Sequence, residues 1–167
     1  KNLKLALTAG VGSDHVDLKA AAEAGVTVAE VTGANYVSVA EHVVMMTLAQ
    51  VRNYPAHGLA ANGGWNVSDC VERGYDVQGM SFGTIGAGRI GLAVLRRLKA
   101  FELELHYTQR HRLDAGVEEE LGLTFHEDAA SLVGSVDIVN LILPLYPSTR
   151  HLLDRAMFAR MRRGTYV

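Results

Sequence analysis

With Cys70 as its only cysteine, the chain can form no internal disulfide and no cysteine-rich metal site, and it suits a reducing compartment. No apolar run approaches the ~18 residues that a membrane span requires, and no secretory signal is visible, so the expected location is cytoplasmic. Charge of one sign is also lacking. Sixteen basic side chains stand against eighteen acidic ones, which excludes a broad attraction to nucleic acid or to a membrane surface. Seven histidines are present, but neither HExxH nor CxxC occurs, and His42 has no second ligand one helical turn away. No metal site is expected. Proline is scarce (three) and glycine abundant (seventeen), the balance of an α/β protein with many tight strand–helix turns.

What is present alternates between strand and helix. Leu3–Thr8 and Val26–Val31 read as strands around a helix over Asp17–Ala24, which Gly25 ends in the left-handed conformation. Ser38 and Glu41 have the spacing of a capping box, and the apolar positions Val37, Ala40, Val44, Leu48 and Val51 follow at helical spacing. Val43, Met45, Met46 and Thr47 widen that stripe, so the helix is expected to be buried over much of its girth, within the chain or against a second subunit. A short helix around Gly58–Asn62 is followed by loop. Then come strand Ser81–Ile85, helix Arg89–Ala100, strand Leu103–Thr108, helix Ala115–Leu121, strand Leu123–Phe125, helical turn Asp128–Val133, buried strand Val136–Leu143 and helix Arg155–Arg162. This rhythm predicts a Rossmann-like, doubly wound parallel sheet in an α/β fold. Residues 1–35 are too few to bury a core, and Thr165–Val167 has the character of a strand just begun. The expected organisation is therefore the end of one domain over 1–35 and a truncated dinucleotide-binding domain over 36–167, together an internal piece of a longer protein.

Between the strand Ser81–Ile85 and its helix lies Gly86-Ala87-Gly88-Arg89-Ile90-Gly91, a GxGxxG turn. In this setting Gly86 permits the turn, Gly88 admits a pyrophosphate to the backbone, and Gly91 lets helix and strand pack closely. The helix start offers the N–H groups of Arg89 and Ile90, and the Arg89 side chain can add a charged contact to phosphate. At the tip of the next strand, where an Asp or Glu ordinarily receives the ribose 2′-OH of NAD, no carboxylate is found. Thr108-Gln109-Arg110-His111-Arg112 supplies an amide, two guanidiniums and an imidazole instead. Such a tip favours a 2′-phosphate, so NADP is the expected cofactor and NAD the weaker alternative. Pro144-Leu145-Tyr146-Pro147-Ser148-Thr149 follows a buried strand, where the ligand crevice of a parallel sheet opens. Pro144 ends pairing there, and the hydroxyls of Ser148 and Thr149 either meet the cofactor or belong to a plain turn.

Four runs, Leu7–Asp17, Val28–Thr32, Ser38–Met45 and Gly63–Asn66, strongly resemble nicotinamide-dependent formate dehydrogenases of the D-2-hydroxyacid dehydrogenase superfamily. The glycine turn and the Pro144–Thr149 segment agree, and Gln109 is similar to the NADP-preferring bacterial members. The resemblance covers essentially the whole chain. It implies metal-free hydride transfer from formate to the nicotinamide, releasing carbon dioxide. It further implies that Asn35 binds formate and helps orient the nicotinamide, and that Val11 offers its backbone N–H to formate while its side chain keeps the pocket dry. Tyr36 and Tyr146 fall among the implied cofactor contacts, with Arg110 and His111. A homodimer built on the cofactor domains is implied too, which fits the apolar helix beginning near Ser38. Tyr36 departs from the family's usual Ser or Val, Val11 from the commoner Ile, and Pro55–Asn62 looks one residue short. The family's catalytic arginine and histidine fall beyond Val167, so this stretch alone is expected not to oxidise formate. The alternatives are another D-2-hydroxyacid dehydrogenase, or a dinucleotide-sensing interaction protein of the same fold.

Overall fold

A computed structural model describes residues 2–54, 58, 63, 68 and 71–167. The short helix expected around Gly58–Asn62 and the Gly63–Asn66 run fall mostly outside the described residues. The first unit is a parallel pair, β1 (Leu5–Thr8) and β2 (Thr27–Glu30), joined through α1 (Leu18–Glu23). Asp17 caps α1 by accepting the Ala20 N–H at 2.9 Å, and Gly25 follows it at φ +67°. No side chain of residues 2–35 is buried.

The second unit holds the core. Its parallel sheet runs in the order β5 (Leu123–Phe125), β4 (Glu104–Thr108), β3 (Ser81–Ile85), β6 (Ile138–Leu141). Beyond β6, Tyr166 bridges Ile138 in parallel, so the C-terminal residues begin to pair as their composition suggested. Every residue of β3 is buried, because helices cover both faces of the sheet. On one face, Phe82, Leu105, Tyr107 and Ile138 pack with α2 (Tyr36–Val51) and α3 (Arg89–Leu98), whose Val94, Leu95 and Leu98 are fully buried. On the other, Ile85 and Val139 meet Leu132 and Val133 of α5 (Ala129–Val133), with Met157 of α6 (Arg155–Arg160) packed alongside. Between β4 and β5 lies α4 (Ala115–Leu121). Gly83 explains how close the second layer sits: a Cβ there would meet the Leu132 and Val136 side chains at 3.0 Å or less.

Three expectations from the sequence require correction. The helix expected from Ser38 begins two residues earlier, at Tyr36, with Asn35 as its N-cap, so Ser38 and Glu41 lie inside it and form no capping box. Glu41 instead accepts from Arg97 of α3 at 3.3 Å, while Ala40, wholly buried, packs into the core that α2 shares with α3. Residues 99–101 tighten into a 3-10 turn after α3, because Glu102 takes up a left-handed conformation. The strand read as Val136–Leu143 is paired only over Ile138–Leu141; Asp137 ahead of it accepts from the Ser81 N–H and hydroxyl. Within this chain Val37, Met45 and Met46 of α2 remain exposed.

One polar pair in the second unit has a pH consequence. His106 Nδ1 and His126 Nε2 are 2.9 Å apart, and His126 Nδ1 lies 3.0 Å from the Ser131 hydroxyl. Burial first, then the charge of His126, pushes the His106 pKa down, and burial does the same to His126. The folded state thus prefers both rings neutral. That contribution is complete above the unfolded value of about 6.5 and is lost as pH falls below it toward the lowered folded values. Urea midpoints should drop between pH 7.5 and 5.5, and the drop should be smaller in the double variant His106→Gln/His126→Gln. An equal drop in both proteins would refute this assignment.

Candidate functional site

The part of β3, β4 and β6 that matters chemically is the rim at their C-terminal ends. Strand order places β4 on one side of β3 and β6 on the other, so the winding of successive strands reverses there, the place where a crevice opens beyond the strand tips. The glycine turn spans that crevice. The Gly86 N–H donates to Thr108 O of β4 at 2.9 Å, and the Ile142 N–H donates to Ile85 O at 3.0 Å. Gly86 sits at φ +100°, and a Cβ on it would lie deep inside contact distance of the Ile142 carbonyl oxygen and 2.9 Å from Leu143 Cδ2. A Cβ on Gly91 would strike the Gly86 carbonyl oxygen. Gly88 differs from both, because nothing lies within 4 Å of its Cβ position. Two glycines are thus needed to build the turn, and the third leaves open space above it.

Beneath the turn lies a support that sequence reading missed. Thr84, fully buried, donates its hydroxyl to Gly86 O at 3.0 Å and accepts from Asn140 Nδ2 of β6 at 3.1 Å. A polar pair at facing positions of two strands read as apolar was the available signal. Above the turn, α3 starts at Gly88 with no side-chain cap, so the N–H groups of Arg89 and Ile90 remain open to an anion.

Gln109 stands one residue past β4. Its Oε1 accepts from the Ala87 N–H in the turn at 3.2 Å, and its Nε2 donates to His111 O at 2.6 Å. The residue therefore stands at the strand tip and also reaches the turn, which it braces. Arg110 and the His111 ring are exposed, and Arg110 makes no ion pair among the described residues. Arg112 requires a correction. It does not add a second free guanidinium, because Glu118 of α4 holds it through contacts of 2.9, 3.2 and 2.9 Å, and it lies over the Phe125 ring at 5.1 Å. Glu118 also accepts from the buried Tyr107 hydroxyl, which in turn accepts the Leu113 N–H at 2.9 Å. Arg112 first, and Tyr107 second, hold the Glu118 carboxyl below its ordinary range. Burial, with Glu118 next, pushes the Tyr107 phenol up.

The remaining predicted residues fall into two groups. Arg89 Nη1 lies against Gly33, which sits at φ +82°, and so brings the loop before α2 to the start of α3. Two residues on, Asn35 caps α2 through its backbone alone, accepting the Val39 N–H at 3.0 Å; its side-chain amide makes no cap hydrogen bond. Tyr36, beside it, is partly exposed. Val11 is half-exposed, and its N–H makes no hydrogen bond among the described residues, whereas the next N–H, of Gly12, donates to Glu30 at 2.8 Å. On the far wall the Thr149 hydroxyl donates to Pro144 O at 2.7 Å and accepts the Tyr146 N–H at 2.8 Å. Its donor holds the loop together, while the Ser148 and Tyr146 side chains are exposed.

Residues 44–167 match the family model described as D-isomer specific 2-hydroxyacid dehydrogenase, NAD binding domain. The chain belongs to this family. A formate dehydrogenase of Pseudomonas sp. (strain 101) is 56% identical over the whole chain, which spans 42% of that protein's length. The mitochondrial formate dehydrogenase of Solanum tuberosum is 48% identical over the whole chain and is 44% covered. Among solved structures, a Granulicella formate dehydrogenase superposes with a TM-score of 0.92 at 58% identity, covering 98% of this chain and 44% of that one. The NAD complex of the Staphylococcus aureus formate dehydrogenase gives 0.87 at 41% identity, covering 96% and 47%. The chain thus spans less than half the length of these relatives. The expected Rossmann-like parallel sheet and the resemblance to formate dehydrogenases both agree with these findings. Among the described residues no helix is long and apolar enough to cross a membrane, and no cluster of ligating side chains could hold a metal ion.

Proposed function

We propose that this chain is the cofactor-binding part of a metal-free formate dehydrogenase that prefers NADP to NAD, with residues up to Asn35 closing the substrate-binding part. The observation that carries the reading is the uncommitted amide of Asn35, at the head of α2 and two residues from the Arg89–Gly33 contact that brings its loop to the glycine turn. The residues present fit a dinucleotide: Gly88 leaves room over the backbone, and the start of α3 offers free N–H donors. When bound, the nicotinamide is the hydride acceptor. Asn35 and the Val11 N–H are neutral donors, suited to holding a carboxylate that must lose its charge as carbon dioxide leaves. The Val11 side chain, half-exposed in this chain, flanks that N–H and offers apolar surface beside which a carboxylate is less stabilised by solvent before it reacts. Neither donor has to exchange a proton in the step.

The cofactor preference rests on Gln109 and Arg110. With no carboxylate at the tip of β4, a 2′-phosphate meets no repulsion and has an unpaired guanidinium at hand. Support for a homodimer comes from Val37, Met45 and Met46, apolar side chains of α2 that are left exposed in this chain. The single cysteine fits a reducing compartment such as a bacterial cytoplasm. Calorimetric titration of this chain with NADP and with NAD, beside a formate-dependent reduction assay on a longer form bearing the family's arginine and histidine, tests the reading. Tighter NADP binding and turnover with formate, but not with lactate or glyoxylate, are expected. Tighter NAD binding would overturn the preference, and turnover with lactate would overturn the substrate.

A further inference from the structure

The basic tip after β4 carries two arginines, yet the structure leaves only one of them unpaired. Arg112 is gripped by Glu118, whose side chain is only 12% exposed and is fixed from beneath by the buried Tyr107 hydroxyl. The Tyr107 hydroxyl also accepts the Leu113 N–H, so the backbone next to Arg112 is pinned by the same group. On its other side the Arg112 guanidinium rests on Phe125, the last residue of β5. Two of its five N–H donors go to Glu118, and with Phe125 on its face the other three, on a side chain still 62% exposed, are held in place rather than free to follow an incoming anion. Arg110, two positions earlier, has neither constraint.

We infer that Glu118 is a specificity-positioning residue: by holding Arg112 on Phe125 it leaves Arg110 as the tip's one guanidinium available to a cofactor 2′-phosphate. The inference rests on the reading of the β4 tip as the cofactor's adenosine end, though not on which cofactor the unaltered chain prefers. Neutralising Glu118 while keeping its shape should release the second cation. In Glu118→Gln the amide oxygen still accepts from Tyr107, so the buried hydroxyl keeps a partner and the fold persists.

The test uses two half-cofactors that need only the glycine turn and the tip, adenosine 2′,5′-bisphosphate and adenosine 5′-monophosphate, titrated calorimetrically at low ionic strength. Glu118→Gln should bind the bisphosphate roughly tenfold more tightly than the unaltered chain does, the order of one added charge-assisted hydrogen bond. The monophosphate should change little, and the gain should shrink as salt rises. The double variant Glu118→Gln/Arg112→Gln should lose the gain. Arg112→Gln alone should leave bisphosphate binding within about twofold, since that side chain is already withheld. Overturning results would be a bisphosphate affinity unchanged in Glu118→Gln, parallel weakening of both ligands, or a large loss in Arg112→Gln alone. Should Glu118→Gln not fold, the Arg112→Gln result decides. An unaltered chain that fails to distinguish the two ligands would count against NADP preference, while the gain in Glu118→Gln would still stand as the result for Glu118.

Discussion

Replacing Gln109 with Asp is expected to reverse the cofactor preference, lowering affinity for NADP roughly 10- to 150-fold while improving affinity for NAD. The argument starts from the geometry of the amide. Gln109 Oε1 already accepts from the Ala87 N–H, so the side chain lies directly over the first residues of the turn. A carboxylate at this tip would offer the ribose two acceptor oxygens and would place a negative charge where a 2′-phosphate must come. Loss of the amide also frees His111 O, to which Nε2 now donates, and loosens the segment that presents Arg110. Both effects disfavour NADP, and only the first favours NAD. Arg110→Gln separates them, because it removes the phosphate contact without adding a carboxylate; it should weaken NADP and leave NAD nearly unchanged. Titration of the two variants with both cofactors checks this. Unchanged NADP affinity in Gln109→Asp would show that the β4 tip does not face the 2′ position.

The second large effect is expected at Gly86. An Ala there combines a left-handed backbone with a Cβ driven into the Ile142 carbonyl, which is backbone and cannot rotate away. Strain of this kind costs about 1–3 kcal/mol, and overpacking adds about as much again. A sum of ~2–6 kcal/mol is a large share of the ~5–15 kcal/mol that ordinarily separates folded from unfolded. Gly86→Ala should therefore show a much lowered urea midpoint or fail to accumulate as folded protein. Gly88→Ala makes the contrast, since its Cβ meets nothing within 4 Å and its φ of −69° suits any residue. That variant should unfold at nearly the original midpoint and lose dinucleotide affinity. If both variants unfold alike, the division between a turn-building and a ligand-admitting glycine is wrong.

Much of the frame was legible in the residues because its causes are local. Asp17, Asp128 and Asp154 cap the helices that follow them, and the strand–helix–strand rhythm around the glycine turn marked β3 and β4 within a residue or two. The start of α2 was misplaced because two signals competed. Ser38 and Glu41 have the right spacing for a cap, but the helix takes Asn35 as its N-cap, and Arg97 on a helix far along the chain supplies Glu41 with another partner. The site divides in the same way. The glycines and Gln109 were visible, since their roles follow from chain direction and spacing. The engagement of Arg112 was not, because Glu118 lies on the next helix and nothing in the sequence says which way its side chain turns. Thr84 and Asn140 were hidden for a similar reason: each looks like an ordinary strand residue until register sets them face to face.

Thr84 also determines the mechanics of the opening it underlies. One hydroxyl donates to the turn after β3 and accepts from β6, so the two sides of the crevice are tied at its floor. They cannot part without breaking buried hydrogen bonds, and they cannot close because Gly86 already rests against Ile142. The floor of the crevice is thus a rigid seam rather than a hinge.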